Sequence, residues 1–264
     1  MILVFIFFQP NSTTSENRIV GGIGIAPGEI PFICSIRQRM PSANSWSWWT
    51  YTHQCGGTVV NGNWLLTSAH CIFGKDIASL LVVCGYRQGQ TIERVALKPD
   101  YVHGRRGNDL ALVLLKSALV FSETVQPIPI FDQRILSSNV ATIVGYGLSS
   151  YGTECCQSNG LQAAIVPILS YNQCYQRLGS LAAYLTGDTI CTDTSATATG
   201  TCIGDSGGPV MIATARQPFN LLAMPSWTVN PCGSGPSVHT LISPHLGWIL
   251  DVITPKLENN KCIR

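Results

Sequence analysis

The chain has 264 residues, of which 45 % are hydrophobic and 11 % charged, and its formal net charge is +2. This length suits one large all-β unit or two small domains, and the apolar content excludes an intrinsically disordered chain. The small net charge gives no sign of a nucleic-acid partner, and the pair Arg105-Arg106 is interpreted as a solvated loop. The 11 cysteines indicate an oxidising compartment. Their odd number means that at least one is free, paired between chains or absent from the mature protein.

The N-terminal residues 1–8 form an apolar run that is too short to span a bilayer as a helix. The run is typical of the core of a secretory signal, although no basic segment or tidy small-residue cleavage site accompanies it. A buried strand is the alternative interpretation. We expect residues 1–18 to form a signal-like segment and a propeptide, with a glycosylation sequon at Asn11.

Segments rich in β-branched and aliphatic residues recur along the chain and predict strands. The predicted strands are 32–36, 55–60, 64–67, 80–84, 110–115, 141–147 and 161–170. A short helix is predicted from Ser170, its N-cap, to Leu178, and a final helix over 244–254 has an apolar face.

The decapeptide 201–210, TCIGDSGGPV, places Ser206 among Gly204, Gly207 and Gly208. Glycine allows a tight turn and a close approach of the backbone to a ligand. A serine needs a base to become a nucleophile, and neighbouring backbone N–H groups can stabilise an oxyanion. By itself the segment is equally consistent with a glycine-rich turn.

Four motifs occur in one order along the chain: IVGG at 19–22, LTSAHC at 66–71, NDLAL at 108–112 and GDSGGP at 204–209. Together they resemble the chymotrypsin/trypsin-like serine proteases over residues 19 to about 254. The resemblance implies an all-β fold of two six-stranded antiparallel β-barrels with a C-terminal α-helix. It divides the peptidase domain 19–264 into a first barrel at about 19–125, a second at about 126–243, a helix at about 244–254 and a tail at 255–264.

The resemblance also implies the roles of the catalytic residues. His70 would be the general base, Asp109 would fix its tautomer, and Ser206 would be the nucleophile. The amides of Gly204 and Ser206 would form the oxyanion hole. Ser226 would hydrogen-bond near Asp109, in the strand that pairs with the substrate backbone.

Arg18-Ile19 resembles an activation cleavage site. In the family, the freed Ile19 α-amine folds inward and pairs with the aspartate before the nucleophile, here Asp205, because a buried carboxylate needs a cation. Before cleavage, His53 with Ser35 would hold Asp205 instead; a loop histidine is the alternative for His53.

The resemblance implies three disulfides, Cys55–Cys71, Cys174–Cys191 and Cys202–Cys232. Cys34 and Cys84 lie on neighbouring strands and either pair or remain buried thiols. Cys262 is expected to pair with one of the adjacent Cys155 and Cys156.

The predicted substrate pocket departs from that of the trypsin-like members. The resemblance implies that Gly200 is at the pocket base, where trypsin-like members have an aspartate to bind Arg or Lys. By the same resemblance, Thr228 and Ser237 would form the walls and narrow the slot, Ile203 would add an apolar lip, and Trp227 would lie beside them. We therefore expect an elastase-like preference for small or medium uncharged residues, with a chymotrypsin-like preference as the alternative.

Two loops differ from those of many relatives. The loop 37–54 is long and carries Trp46, Trp48, Trp49 and Tyr51, which form either an exosite or one packed strand face. The loop 85–94 has only Glu93 as an acidic residue, so no calcium site is predicted.

The sequence thus predicts a secreted, extracellular serine endopeptidase made as a zymogen, acting on protein or peptide substrates without a cofactor or metal. An activating trypsin-like protease and protein inhibitors are its expected partners, and a monomer without nucleic-acid or membrane binding is expected. The alternatives are a non-catalytic binding protein on a protease scaffold and a lipase or esterase. The latter class has the order Ser, acid, His, whereas the order here is His70, Asp109, Ser206.

Overall fold

The computed structural model describes residues 19, 22–26, 28–41, 49–85, 88–132, 138–147, 160–193 and 199–254. Thirteen strands and two α-helices are formed within these ranges. The strands are β1 (Ile23–Ile25), β2 (Ile33–Pro41), β3 (Trp49–Val59), β4 (Trp64–Thr67), β5 (Leu80–Cys84), β6 (Gln88–Leu97), β7 (Ala111–Leu115), β8 (Val140–Gly145), β9 (Leu161–Leu169), β10 (Thr189–Thr192), β11 (Val210–Ile212), β12 (Asn220–Thr228) and β13 (Ser237–Leu241). The helices are α1 (Tyr171–Leu178) and α2 (Leu246–Ile253).

The first barrel is closed by six antiparallel strands in the order β2-β3-β4-β7-β6-β5. Alternate residues of β5 are buried, as expected for a strand with one face toward a barrel interior. In β7 four of five residues are buried, because its outer face lies under the second barrel. Asp109 lies two residues before this strand, with the buried Leu110 between them, so the barrel fixes the position of the Asp109 backbone.

The second barrel runs β9-β10-β13-β12-β11-β8 and closes through pairing of β8 with β9. The predicted fold of two six-stranded antiparallel barrels with a C-terminal helix is therefore confirmed. β1 differs from the predicted first-barrel segment 19–125, because Ile23–Ile25 pairs with β9 of the second barrel. A three-residue strand carries little local signal, and its partner is set by the packing of the two barrels.

The two helices begin and end close to their predicted bounds. Ser170 caps α1, its hydroxyl accepting the Gln173 N–H while the Gln173 side chain accepts the Ser170 N–H, which forms a capping box. The final helix was predicted over 244–254, whereas Ser243–His245 forms a 3₁₀ turn and α2 covers Leu246–Ile253.

The barrels pack through one shared apolar cluster. Leu66 and Leu112 from the first barrel meet Met211 and Leu221 from the second, and Ile249 of α2 joins them. The segments carrying the predicted catalytic residues emerge beside this interface, so its packing sets their separation.

Four disulfides are formed among the described residues. The three pairs implied by the resemblance are present, and Cys34 pairs with Cys84. Of the two interpretations left open for Cys34 and Cys84, the disulfide is correct, and it joins β2 to β5.

Removing the Cys34–Cys84 bond should destabilise the first barrel. The bond closes a separation of 50 residues, so the double variant Cys34→Ala/Cys84→Ala should lose about 4 kcal/mol of unfolding free energy in the chain-entropy model. Urea unfolding under oxidising conditions measures this loss. A change below about 1 kcal/mol would mean that residual structure in the unfolded double variant keeps residues 34 and 84 about as close as the bond does.

Candidate active site

His70 is presented by a short turn at the end of a buried strand. β4 leads into the 3₁₀ turn Ala69–Cys71, in which Ala69 and Cys71 are buried while the His70 side chain is 32 % exposed. The Cys55–Cys71 disulfide ties this turn to β3. The imidazole therefore faces the cleft from a turn that is fixed on both sides.

Asp109 is buried, with 4 % of its surface exposed, and accepts hydrogen bonds from three donors. Its Oδ1 accepts the His70 backbone N–H at 2.9 Å, and its Oδ2 lies 2.7 Å from His70 Nδ1. The Ser226 hydroxyl donates to the same Oδ2 at 2.5 Å, as the sequence predicted. Burial by itself raises the pKa of Asp109, but the hydrogen bonds and charge of His70 and the Ser226 bond outweigh it and lower the pKa.

A β-bulge directs Ser226 toward this carboxylate. The register of β12 against β13 shifts between Pro225 and Trp227, so Ser226 has no residue opposite it. Bulges commonly redirect a side chain beside an active site. The neighbouring Pro225 carbonyl accepts the Ser68 hydroxyl at 2.8 Å, which joins this strand to the His70 turn.

Ser206 lies in a loop that fits closely against the first barrel. Its carbonyl accepts the Gly56 N–H at 2.7 Å. Gly207 has φ 79°, and a Cβ there would lie 2.1 Å from Thr67 Oγ1, so no other residue fits. Among the described residues the Ser206 hydroxyl has no hydrogen-bond partner. In proteins without substrate, the bond from nucleophile to base is often longer than in the complex.

Two backbone amides beside Ser206 are available to a ligand. The N–H of Asp205 donates to Cys202 and that of Gly208 to Asp205. Within the described part of the chain, the amides of Gly204 and Ser206 have no acceptor. Backbone donors without partners are the chemical requirement of an oxyanion hole.

Asp205 is fully buried, and among the described residues no cation lies beside it. Its carboxylate accepts the N–H groups of Gly147 and Cys202 at 2.8 and 2.9 Å. Burial raises the pKa of Asp205 to about 7, against the lowering effect of these two hydrogen bonds. A Cβ at Gly145 would lie 1.9 Å from the carboxylate, so glycine is required there. Ile19 is itself fully buried.

His53 does not hold the Asp205 carboxylate in this structure, in contrast to the predicted uncleaved state. Its Nδ1 lies 2.8 Å from the Ser35 hydroxyl, and its Nε2 lies 2.8 Å from the Gly204 carbonyl oxygen. The difference arises because the Asp205 side chain is directed to the Gly147 amide. Burial lowers the pKa of His53, and the nearby Arg37 charge lowers it further.

Two of the predicted pocket residues, Thr228 and Ser237, lie opposite each other at the end of β12 and the start of β13. Thr228 pairs with Ser237, and their hydroxyl oxygens are 3.2 Å apart. Ser237 and Gly200 are buried, whereas Ile203 is 70 % exposed. The Cys202–Cys232 disulfide joins the Ser206 loop to the segment before β13.

Trp227 has two neighbours that sequence reasoning did not identify. The Arg106 guanidinium lies over its ring at 5.2 Å, and the Tyr184 ring meets it edge-on at 6.5 Å. Arg106 is exposed, as the solvated-loop interpretation required, but it is also bound to this aromatic face.

The grouping of Cys55, His70 and Cys71 resembles a set of metal ligands. The two sulfurs are joined to each other in a disulfide, so neither is a free thiolate. The chemistry of this donor set therefore does not fit a metal site.

Several predicted features lie outside the described residues. They are Arg18, Trp46, Trp48, the side chain of Trp49, Cys155, Cys156, Cys262 and the tail 255–264. Within the described ranges, no helix combines the length and the apolar character needed to cross a bilayer.

Two β-barrels with a buried aspartate bonded to a partly exposed histidine, and a glycine-flanked serine in a neighbouring loop, define the class of chymotrypsin-like serine proteases. The family model described as Trypsin matches residues 19–249, and the chain belongs to the trypsin family.

Curated relatives and a solved structure agree with this class. The chain is 32 % identical over 260 residues to serine proteinase stubble of Drosophila melanogaster, covering 92 % of this chain and 32 % of that protein. It is 26 % identical over 264 residues to transmembrane protease serine 11G of Rattus norvegicus, covering 91 % and 60 %. The chain thus spans about a third of the first relative and 60 % of the second. The solved structure of neuropsin, a serine protease expressed in the limbic system of mouse brain, has the same fold. Its TM-score is 0.72 at 24 % identity, with 89 % of this chain and 99 % of that one covered.

Proposed function

We propose that this chain hydrolyses peptide bonds as a serine endopeptidase, with Ser206 as nucleophile, His70 as general base and Asp109 as its orienting carboxylate. The main support is the buried Asp109 carboxylate, which accepts both the backbone N–H and the Nδ1–H of His70. This pair of bonds leaves His70 Nε2 unprotonated and able to accept a proton.

The proposed reaction has two halves. His70 Nε2 takes the Ser206 hydroxyl proton as Oγ attacks the scissile carbonyl, and the Gly204 and Ser206 amides donate to the oxyanion. The imidazolium then gives its proton to the leaving amine, and the C–N bond breaks. A water molecule repeats the sequence on the acyl-enzyme and releases the carboxylic acid. The low pKa of Asp109 keeps the carboxylate charged beside the imidazolium.

Activation by cleavage between Arg18 and Ile19 is part of the proposal. Within the part of the chain that the structure describes, the fully buried Asp205 has two backbone donors and no cation, and burial raises its pKa to about 7. A freed α-amine at Ile19 would supply the cation and fix the loop that carries the Gly204 and Ser206 amides.

For specificity, we propose small or medium uncharged residues before the scissile bond, with a chymotrypsin-like preference as the alternative. The support is the paired hydroxyls of Thr228 and Ser237, 3.2 Å apart on neighbouring strands, together with the neutral Gly200. A pocket without a carboxylate cannot compensate the desolvation of a guanidinium.

We further propose a secreted, extracellular and monomeric enzyme whose partners are protein or peptide substrates, an activating trypsin-like protease and protein inhibitors. Four disulfides among the described residues favour an oxidising compartment.

The function is tested by labelling with a fluorophosphonate, which reacts with activated serine nucleophiles. The chain cleaved after Arg18 should be labelled at Ser206, located by peptide mass spectrometry, and should hydrolyse a peptide library. The cleaved Ser206→Ala chain, otherwise identical, should take no label. Absence of label on the cleaved parent chain would favour the binding-protein alternative.

Widening the pocket should change specificity. In the double variant Thr228→Gly/Ser237→Gly, loss of both side chains opens the slot. The ratio of kcat/KM for substrates with Phe over Ala before the scissile bond should rise about 10- to 100-fold. Paired peptide substrates measure the ratio in parent and variant. A parent enzyme that already prefers Phe would instead favour the chymotrypsin-like alternative.

A further inference from the structure

Asp188, in the loop before β10 of the second barrel, contacts the loop that carries Asp109. Its Oδ2 accepts the backbone N–H of Asn108 at 2.8 Å and lies 3.1 Å from Nε2 of His245. Its Oδ1 accepts the hydroxyl of Thr186. One carboxylate thus joins the first barrel, the second barrel and the turn before α2.

The backbone that Asp188 holds has an unusual conformation. Asn108 has φ 51°, in the left-handed region that non-glycine residues seldom adopt. Its carbonyl accepts the Leu110 N–H at 2.8 Å, which closes a tight turn around Asp109. The Asn108 N–H is thus bonded to Asp188 of the second barrel, and the Asn108 carbonyl is bonded within its own turn.

The residue before Asn108 fits against the same segment. Gly107 has φ 102°, and a Cβ there would lie 2.8 Å from Cγ2 of Thr186. The loop 107–109 therefore packs closely against residues 186–188. Among the described residues, the acceptor of the Asn108 N–H is the Asp188 carboxylate.

The carboxylate is well supported as an acceptor. Burial raises the pKa of Asp188, but the bonds from His245, Thr186 and Asn108 and the His245 charge outweigh it and lower the pKa far below its usual value. The His245 charge also acts on Asp100, whose own pKa is lowered mainly by Lys98, its ion-pair partner at 2.8 Å. Asp188 therefore remains a charged acceptor across the neutral pH range.

We propose that Asp188 is a positioning residue for catalysis. It fixes the left-handed turn at Asn108 so that the Asp109 carboxylate accepts hydrogen bonds from the backbone N–H and from Nδ1 of His70. The inference rests on the proposed catalytic role of Asp109. Without Asp188, Asn108 can relax to an ordinary φ, which rotates the following residue and moves its carboxylate away from the imidazole. A displacement of about 1 Å at such a group costs on the order of 100-fold in rate.

The test compares Asp188→Ala and Asp188→Asn in the chain cleaved after Arg18. The alanine variant should lose about 10- to 100-fold in kcat with little change in KM. The acidic limb of its pH profile for kcat/KM should move to lower pH, because a displaced carboxylate stabilises the His70 cation less. The asparagine variant keeps an acceptor for the Asn108 N–H and should recover most of kcat.

Asp193→Ala is the matched control, since Asp193 also pairs with a basic residue and is equally exposed, at 12 %. It should leave kcat and the pH profile unchanged. Should Asp188→Ala fail to fold, Thr186→Val and His245→Leu remove single partners of the carboxylate and should each lower kcat several-fold. The proposal would be overturned by an unchanged kcat and pH profile in a folded Asp188→Ala chain. If that chain does not fold, an unchanged kcat and pH profile in both Thr186→Val and His245→Leu would overturn it.

A readout without substrate separates this inference from the proposed function. The proton between His70 Nδ1 and Asp109 should give a far-downfield NMR resonance, which should shift or vanish in Asp188→Ala and persist in Asp193→Ala. An inactive parent chain with this response would refute the proposed function alone. An active parent chain whose resonance is unaffected by Asp188→Ala would refute the positioning role alone.

Discussion

The activated Asp109→Asn variant should hydrolyse peptides with kcat lowered about 10⁴-fold, the loss typical of this substitution in Ser-His-Asp enzymes. In the parent chain, Asp109 accepts three hydrogen bonds, from the His70 N–H, His70 Nδ1 and Ser226 Oγ. An amide has one oxygen to accept them, and its NH₂ group would donate to Nδ1. His70 would then carry its proton on Nε2 and could not take one from Ser206.

Steady-state kinetics at saturating substrate measure this effect, with far-UV circular dichroism to verify folding. Ser226→Ala is the appropriate control, because it removes one donor to Asp109 and leaves the His70 tautomer intact. Its loss should stay near tenfold, in keeping with one hydrogen bond to a charged group. An Asp109→Asn enzyme within tenfold of the parent would exclude the proposed role of Asp109.

The fold and the pairing of Asp109 with His70 could be predicted because their signals are local. His70, Asp109 and Ser206 each lie in a short motif, and segments rich in β-branched and aliphatic residues, such as 80–84, predict the barrel strands. The pairing of Cys34 with Cys84 was also accessible, since both stand on strands that this fold places side by side.

Contacts between distant segments gave no such signal. Asp188 contacts Asn108 across 80 residues and His245 across 57. Asn108 begins the NDLAL motif, but neither Asp188 nor His245 lies in a recognisable motif. Arg106 was assigned to a solvated loop, because only the folded chain brings it over Trp227. The one local sign was Asn108 itself, since asparagine tolerates the left-handed conformation better than most residues.

His53 shows the limit of transferring a role from a resemblance. His53 and Ser35 were predicted to hold Asp205 together, whereas the His53 ring contacts the Ser35 hydroxyl and the Gly204 carbonyl oxygen. Residue types alone did not decide this, because the choice depends on which way the Asp205 side chain turns. The Gly147 amide accommodates that carboxylate without a histidine.

The unfolding free energy of the uncleaved chain should carry a penalty from Asp205 that grows with pH and disappears on cleavage. Burial raises the pKa of Asp205 to about 7, against about 4 in an unfolded chain. Between these values the native state holds a proton that the unfolded state has released, so stability falls as pH rises. Three pKa units correspond to at most about 4 kcal/mol.

The effect must be measured as a difference, because buried histidines act in the opposite direction. Burial lowers the pKa of His239 to about 3, so this residue makes stability rise with pH between about 3 and 6.5. Comparing Ser206→Ala with Ser206→Ala/Asp205→Asn removes that contribution, and the Ser206→Ala background prevents self-cleavage. In urea unfolding of the uncleaved chains, the asparagine variant should match Asp205 near pH 4 and exceed it at pH 7.5.

Cleavage after Arg18 should reverse this order. The freed Ile19 α-amine, with an ordinary pKa near 8, supplies the cation that the buried carboxylate lacks. The Asp205 chain should then be the more stable of the two at pH 7, and its advantage should shrink as the amine loses its proton at higher pH. The activated Asp205→Asn enzyme, with Ser206 restored, should also lose activity because its Gly204 and Ser206 amides are no longer fixed. If the difference in unfolding free energy between the Asp205 chain and the Asp205→Asn variant changed with neither pH nor cleavage, Asp205 would be neutral in the uncleaved and the cleaved chain. The proposed activation mechanism would then be wrong.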